Sequence, residues 1–332
     1  MLLQLIVIHY DEDESYIKNL LNVLKLQQWF DFRDLEVLIE NDGDKVVYDK
    51  SLFENYPFKI RYHVNEWSGR SGVRQHGLNR ATADYVMFCD CDDTFLRFDA
   101  LATIKHALIK EKPDVLFTIF KTNFVDDNGL TKGFRDYYNE NVWIHGKCFR
   151  TKFLKDNDIS WNKSLNNFED AYFVRLVDAF RPKKFGINLD LYAWKYRATS
   201  STRGDGKTEM LDYLNCLNSQ REAIKAYIEL DKLKDAGVKL FITMYEVYFL
   251  ITSIDSNIDL VREYTAHREQ VEKEFIELYE KYKQYLDYVS PRLASTLYTA
   301  LVKRFFEEKQ VYLVPKDTLE QFIENLKQKY LK

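Results

Sequence analysis

A strand-and-turn rhythm in the first hundred residues constrains this chain most. Leu2–His9 is a nearly unbroken apolar run, the pattern of a strand buried on both faces. Acidic Asp11-Glu12-Asp13-Glu14 follows, and Ile17, Leu20, Leu21 and Leu24 then recur at helical spacing. An acidic start suits the positive end of a helix dipole. Leu35–Ile39 reads as a second strand closing on the turn Asn41-Asp42-Gly43, and Lys59–Val64 as a third. Ser71–Ala83 reads as a helix, and Asp84–Cys89 as a fourth strand that ends in Asp90-Cys91-Asp92-Asp93. Such alternation predicts an α/β domain with a mostly parallel central sheet covered by helices on both faces. Ligands of such sheets bind outside the carboxyl ends of the strands. The polar turns after the first, second and fourth strands are therefore expected to meet at one crevice.

The rhythm then loosens. Asp99–Glu111 reads as a helix and Val115–Phe120 as a strand, followed by a polar stretch reaching Trp143. All 11 glycines lie between Gly43 and Gly237, so the last 95 residues contain none. Segments such as Asp259–Tyr285 place apolar residues at helical spacing among dense charges. We expect a first domain over 1–204 and a helical one over 205–332, joined near Thr202–Lys207, where Arg203-Gly204-Asp205-Gly206 suits a linker or loop. The charged helices suit acceptor recognition or assembly into a homo-oligomer.

Composition removes several classes. Hydrophobic residues at 46% and charged residues at 30% are ordinary globular usage, which argues against disorder. A net charge of −4 lacks the basic surplus expected of a phosphate-backbone binder, so a nucleic-acid partner is disfavoured. The four cysteines, Cys89, Cys91, Cys148 and Cys216, are too few for a disulfide scaffold and form no CxxC pair. Cys89 and Cys91 flank Asp90 and are expected on opposite faces of their strand. Reduced thiols and a cytoplasmic setting, peripheral to the membrane at most, follow. The start, Met-Leu-Leu-Gln-Leu-Ile-Val-Ile, reads as a strand with no basic leader before it. Phe241–Ile254 contains Glu246 and falls short of the ~20 residues a membrane span needs.

Chemistry concentrates in Val86-Met87-Phe88-Cys89-Asp90-Cys91-Asp92-Asp93. A buried strand delivers carboxylates to its carboxyl end, where hard divalent cations are held by one or two carboxylates together with substrate phosphates. Carboxylates this close repel one another unless a cation joins them. The same pattern also fits a strand-end turn capping a helix.

Several segments, in order, resemble the inverting family-2 glycosyltransferases with a GT-A fold, a Rossmann-like unit. Ile8-His9-Tyr10-Asp11 stands where that family has a strand ending in Pro-x-Tyr-Asn, and Ile39-Glu40-Asn41-Asp42-Gly43-Asp44 resembles its apolar-apolar-Asp-Asp-Gly-Ser. Ser71-Gly72-Val73-Arg74-Gln75-His76-Gly77-Leu78 is similar to its Ser-x-x-Arg-Asn-x-Gly-Ile helix. Ala83–Asp93 is similar to Gly-Glu-Tyr-Ile-x-Phe-Leu-Asp-x-Asp-Asp, and His145-Gly146-Lys147-Cys148-Phe149-Arg150 to a His/Trp-Gly-Lys-Leu-Tyr-Arg stretch. Phe168-Glu169-Asp170 resembles the acid pair that carries the base, and Tyr196-Arg197 with Ser200-Ser201 a late Tyr-Arg-x-x-x-Ser segment. The resemblance spans residues 2–203. Ile8, Asn41 and Asp44 depart from it, standing for Pro, Asp and Ser.

The resemblance implies sugar transfer from a UDP-sugar to an acceptor hydroxyl on a glycan, a teichoic-acid-like polymer or another carrier, with Mn2+ or Mg2+ as cofactor. It implies a donor-nucleotide site formed by His9, Tyr10, Asp11, Asp42, Arg74, Asp90, Cys91 and Asp92, with Asp42 accepting the uracil N3–H. Asp92 and Asp90 would hold the metal, Asp92 directly, and the metal would act as a Lewis acid on the leaving diphosphate. Asp93, His145, Lys147 and Arg197 would face the phosphates or the acceptor, Asp93 orienting the donor sugar or capping the next helix. Asp170 is the candidate general base, with Glu169 raising its proton affinity or orienting the site. Each residue also has a plainer use. Asp42 fits a turn before Gly43, Arg74 a solvated helix arginine, Glu169 and Asp170 an acidic first turn, and Lys195 and Arg197 a surface charge cluster. His76 is expected to be structural. Trp143 and Trp161 fit sugar stacking or core packing.

Two rival readings remain. Asp90-Cys91-Asp92-Asp93-Thr94 also fits the nucleophile motif of haloacid-dehalogenase-like phosphatases, with Asp90 attacking phosphorus beside magnesium. That reading leaves Asp42 and the Ser71–Leu78 helix unexplained. The other is a non-catalytic nucleotide-binding scaffold carrying a helical interaction module, which intact Asp92 and Asp170 argue against.

Overall fold

The computed structural model describes residues 1–125, 131–138, 143–165, 167–195, 209–254, 268–304 and 317–330. The chain divides into two compact units, Met1–Asp205 and Gly206–Lys332.

The first unit is built on one nine-stranded sheet. β1 (Leu3–His9), β2 (Leu35–Asp42), β3 (Lys59–Asn65) and β4 (Tyr85–Asp90) are all mutually parallel, in the order β3-β2-β1-β4. Every residue of β1 and β2 is buried, the apolar ones and also Glu36, Glu40, Asn41 and Asp42 of β2. α1 (Glu14–Lys25) buries Ile17, Leu20, Leu21 and Leu24, and Asp13 caps it by accepting from the Ser15 N–H at 2.9 Å. α2 (Gly69–Arg80) packs on the other face so closely that a Cβ at Gly77 would collide with Ile6 Cγ2. α3 (Ala100–Glu111) joins α1 on the face formed by Leu3, Leu5, Val7, Met87 and Cys89.

The other half of the sheet is mixed. β8 (Lys147–Arg150) pairs antiparallel with both β4 and β6 (Val115–Val125), while β9 (Lys184–Trp194) runs parallel to β6. β5 (Thr94–Phe95) lies antiparallel to β9, and β7 (Thr131–Tyr137) hangs from β6 as a hairpin arm. The sheet is thus less uniformly parallel than the alternation predicts, because it turns over at β8. Two reversals through β8 leave β6 and β9 running with β4. The carboxyl ends of β1, β2, β4, β6 and β9 therefore share one edge. α4 (Thr151–Asp156) and α5 (Glu169–Ala179) complete this unit, with Phe88, Phe149, Trp161 and Phe173 packed ring against ring beneath α5.

Three expectations need correcting. The polar stretch before Trp143 contains β7, whose mostly exposed residues carry little apolar signal, and the extension of β6 to Val125. Cys89 and Cys91 do not face opposite ways, since both are buried in one core cluster with Met87. Positions two apart on a strand point to the same side. β5 was not foreseen, being two residues long.

The second unit is helical: α6 (Glu209–Glu229), α7 (Leu233–Ile254), α8 (Arg268–Tyr282), α9 (Pro291–Val302) and α10 (Leu319–Tyr330). α7 is central among the described residues, touching the other four described helices and the 3-10 turn Lys283–Tyr288. A Cβ at Gly237 would collide with the Tyr285 carbonyl oxygen, so glycine permits that approach. Glu272 is fully buried and accepts from Arg268 Nε at 2.7 Å, Lys329 Nζ at 2.8 Å and Tyr330 Oη at 2.6 Å, tying α10 to α8. Of the Asp259–Tyr285 segment, residues 259–267 lie outside the described residues, as does the Arg203–Gly206 linker. No described helix is long and apolar enough to cross a membrane.

Candidate active site

The shared strand edge gathers the acidic residues. β4 ends at Asp90, and the chain turns through Cys91, Asp92 and Asp93 before reversing into β5 beside β9. Across the turn stands the start of α5, where Phe168 adopts a left-handed φ of 56°. A bulky residue in that region is strained, and here it directs Glu169 and Asp170 inward as the first helical residues.

Arg74 of α2 joins the two. Its Nη2 donates to Asp90 Oδ1 at 2.9 Å and its Nη1 to Glu169 Oε1 at 2.5 Å, with the guanidinium carbon 5.1 Å above the Trp161 ring. Arg74 is buried, not a solvated helix arginine. Burial opposes its charge, but Asp90, Glu169 and Asp170 outweigh that and raise its pKa. Asp90 shows the mirror effect: burial pushes its pKa up, while Arg74 and then His145 pull it down, and the net shift is downward. Asp170 differs. Burial first, and the Glu169 charge second, push its pKa up to about 6, against the opposing pull of His145 and Arg74. Asp170 Oδ1 accepts from the Ala171 N–H at 2.7 Å.

Asp93 caps no described helix, the following one being capped at Asp99. Asp93 is buried, accepting from Tyr192 Oη at 2.5 Å and from the Lys195 N–H at 3.2 Å, with His145 Nδ1 3.5 Å from its Oδ2. It therefore ties the acidic turn to β9. His145 is buried between aromatic rings, stacked on Trp194 at 4.7 Å with Tyr192 and Phe120 beyond. Lys147 is buried too, and its Nζ donates to the Trp143 carbonyl oxygen. Trp161 is core, stacked on Phe173 at 4.2 Å, whereas Trp143 pairs with Trp194 at 5.2 Å.

At the β1–β2 end, Asp42 is buried and its Oδ1 accepts from the Ser68 N–H at 2.7 Å and from Ser68 Oγ at 3.2 Å. This fixes the carboxylate's orientation and the entry to α2. Gly43, at φ 112°, lies against Trp67 and Tyr10, both exposed. Tyr10 carries Lys45 over its ring at 5.0 Å, and Lys45 pairs with Asp11 at 2.8 Å. His9 does not reach this opening. It is buried and stacked on Tyr48 at 4.2 Å, and burial lowers its pKa to about 4. The Cys91 thiol is likewise buried in the core and its N–H bonds to the Ile8 carbonyl at 3.3 Å, so it presents no side chain to a donor. His76 is half-buried on α2. Tyr196, Arg197, Ser200 and Ser201 lie outside the described residues.

The residues at the turn suit a hard cation. Asp92 is half-buried beside Asp90, both being oxygen donors at a strand end. Among the described residues no three His, Cys, Asp or Glu side chains gather to hold a metal unaided. A cation bound through one or two carboxylates completes its shell with phosphate oxygens and water.

Sequence reasoning missed Ser68, Tyr192 and Trp194. Ser68 was findable as a capping residue before Gly69, while the other two sit in a strand whose ordinary use of aromatics hides them. The Asp90 carboxylate that the phosphatase reading needs as nucleophile is paired through Oδ1 with Arg74.

Residues 4–173, just over half of the chain, match the model of Glycosyl transferase family 2. Similar curated proteins include the poly(ribitol-phosphate) beta-N-acetylglucosaminyltransferase TarS of Staphylococcus aureus, 29% identical over 177 residues, covering 48% of this chain and 30% of TarS. Glycosyltransferase GlyA of Streptococcus pneumoniae is 24% identical over 213 residues, covering 57% of this chain and 30% of GlyA. The chain thus spans under a third of the length of either relative. Among solved structures, S. aureus TarS 1-349 in complex with UDP-GlcNAc superposes with a TM-score of 0.63 at 18% identity, covering 98% of this chain and 92% of that one. This likeness gives the first unit its fold, GT-A. The ordered site and the extent of the family match lead to one assignment: this chain belongs to glycosyl transferase family 2.

Proposed function

We propose that the enzyme transfers a sugar from a UDP-sugar to an acceptor hydroxyl with inversion, assisted by Mn2+ or Mg2+, with Asp170 as general base. The observation that carries this reading is the pairing of two carboxylates of opposite character around Arg74. Asp90 is held ionised, whereas Asp170 has a pKa raised to about 6. A base of that strength is ionised near neutrality yet accepts a proton more readily than an ordinary aspartate.

In this reading Tyr10, Asp42 and Trp67 form the opening that takes the uridine, with Asp42 oriented by Ser68 to accept the uracil N3–H. Asp92, with Asp90, would hold the cation, which when bound neutralises charge on the departing diphosphate. Asp170 takes the acceptor proton as the acceptor oxygen bonds to the anomeric carbon from the face opposite UDP. The bond from that carbon to the diphosphate oxygen breaks, and its electron pair leaves with UDP. Arg74 pairs with Glu169 through Nη1 and with Asp90 through Nη2, leaving Asp170 as the carboxylate it does not bond. The likeness to TarS, whose name specifies an N-acetylglucosaminyl donor and whose structure holds UDP-GlcNAc, supports a UDP-sugar.

The test is nucleotide release from UDP-, GDP- and CDP-sugars with and without Mn2+. Release from UDP-sugars alone, lost on chelation, is the expected result. Preference for another nucleotide, or insensitivity to chelation, contradicts the proposal.

A further inference from the structure

The edge of the sheet away from the crevice holds a cavity of about 810 Å³ that the proposed transfer does not use. It lies at the amino ends of β1 and β4, where Leu2, Asp84 and Tyr85 line it, and α3 contributes Leu108, Ile109 and its cap residue Lys112. Tyr85 opens β4 and Asp90 closes it, so cavity and crevice stand a strand length apart, about 17 Å. Cavities of roughly 300–1,000 Å³ take small organic ligands.

The lining has an apolar part and a cationic part. Leu2, Tyr85 and Leu108 supply the first, together with Ile109, which is 53% exposed. Two of the cations are engaged: Lys152 pairs with Asp156 at 2.8 Å, and Lys155 donates to the Ala81 carbonyl at 2.7 Å. Arg150 is held without being used up. Its Nε donates to the Pro113 carbonyl at 3.2 Å and its Nη2 to the Pro113 and Lys112 carbonyls, with Asp114 3.3 Å away. Nη1 has no hydrogen-bond partner among the described residues. Lys112 is exposed and has no ion-pair partner among the described residues. Thr151 also lines the cavity, and although the residue is only 6% exposed its hydroxyl has no partner among the described residues. Asp84 is exposed and lines the cavity without a described ion pair.

We propose that this cavity is a second ligand site, taking a phosphate monoester with an apolar body, whether a soluble ester or a lipid head group. Lys112 and the Arg150 guanidinium meet the phosphate, Arg150 being already oriented by its carbonyl contacts. The Thr151 hydroxyl gains the acceptor it lacks. The apolar body covers Leu2, Tyr85 and Leu108. Each half of the lining demands its own half of the ligand: a neutral apolar molecule leaves the cations unmet, and inorganic phosphate leaves the apolar part wet. Asp84 works against the anion and tempers its affinity.

The test is saturation-transfer NMR on the full chain with phenyl phosphate as probe, in excess UDP and Mg2+ to occupy the crevice. Phenyl phosphate is expected to bind saturably, about tenfold tighter than inorganic phosphate in competition, because its ring adds apolar burial. Lys112→Glu should weaken it at least about fivefold, and Asp84→Asn should tighten it about two- to threefold at low salt. Both side chains are exposed, so the Tm of either variant should match that of the native protein. Sedimentation with phosphatidylcholine vesicles containing phosphatidic acid separates the two sources. Retention that is lost in Lys112→Glu assigns a lipid head group, and absence of retention beside phenyl phosphate binding assigns a soluble ester. No saturable binding, binding abolished by UDP, or binding unmoved by both variants overturns the proposal. The site does not rest on the proposed function: its failure leaves Asp170 untouched, and a chain that cleaves no UDP-sugar can still bind phenyl phosphate here.

Discussion

The Arg74 guanidinium lies 2.9 Å from Asp90 Oδ1, so the first carboxylate of the acidic turn is held in place by protein alone. The same side chain reaches Glu169 at the start of α5. One buried arginine thus links α2, the end of β4 and the helix that carries the candidate base, and both of its partners depend on it for charge balance.

Replacing Arg74 tests that linkage. Arg74→Ala leaves the Glu169 carboxylate buried without its cation, a change that costs about 3–5 kcal/mol in comparable buried pairs. Arg74→Lys carries one ammonium in place of the fork and cannot serve both carboxylates. Thermal unfolding should fall markedly for Ala and less for Lys, with transfer lost in both. A folded Arg74→Lys enzyme with near-native turnover would show that the two contacts are incidental.

Asp170 predicts the acid limb of the pH–rate profile. Its pKa is raised to about 6, so the active, ionised base is lost as pH falls through that value, well before an ordinary aspartate would protonate. Glu169→Gln removes the like charge and frees Arg74 to act on Asp170, and both changes move the limb to lower pH. The limb should stay above the ordinary aspartate range, because burial is the largest cause of the shift. An upward movement in Glu169→Gln contradicts this assignment.

Tyr192→Phe tests how the acidic turn is anchored. The lost hydroxyl leaves the buried Asp93 carboxylate one donor short, a cost of about 1–3 kcal/mol. Calorimetry should show a lower Tm together with reduced turnover, since Asp92 precedes the anchored residue. An unchanged Tm would mean the hydrogen bond contributes nothing net.

Asp92→Ala addresses the cation. UDP binding by the native protein is expected to tighten when Mn2+ is added, and the variant should lose that increment and bind as the native protein does in chelator. Titration calorimetry reads both. Equal tightening by Mn2+ in the variant removes Asp92 from the metal site.

Much of the parallel half of the sheet was legible because β1, β2 and β4 are buried and largely apolar at their centres, although β3 is only partly buried. Leu3–His9 and Leu35–Asp42 are examples, each ending in the polar turn that the fold places at the crevice. The mixed half was not, because β7 is exposed and β5 has two residues, so neither leaves a periodic signal. At the site, Asp90, Asp92, Glu169 and Asp170 could be named from pattern. The inward turn of Cys91 and the stacking of His9 could not, since both follow from the neighbours that tertiary packing supplies. The hydrogen bonds of Asp93 were not legible either, because its partners, Tyr192 and the Lys195 N–H, lie about a hundred residues away in sequence.

The most direct measurement is single-turnover transfer from a UDP-sugar by Asp170→Asn beside the native enzyme, with UDP-sugar affinity measured on both. We expect affinity within about threefold and a rate lower by about 10²–10⁴, the usual contribution of a general base. A variant that binds donor normally and transfers at near-native rate would contradict the assignment of Asp170, and with it the account of how this crevice works.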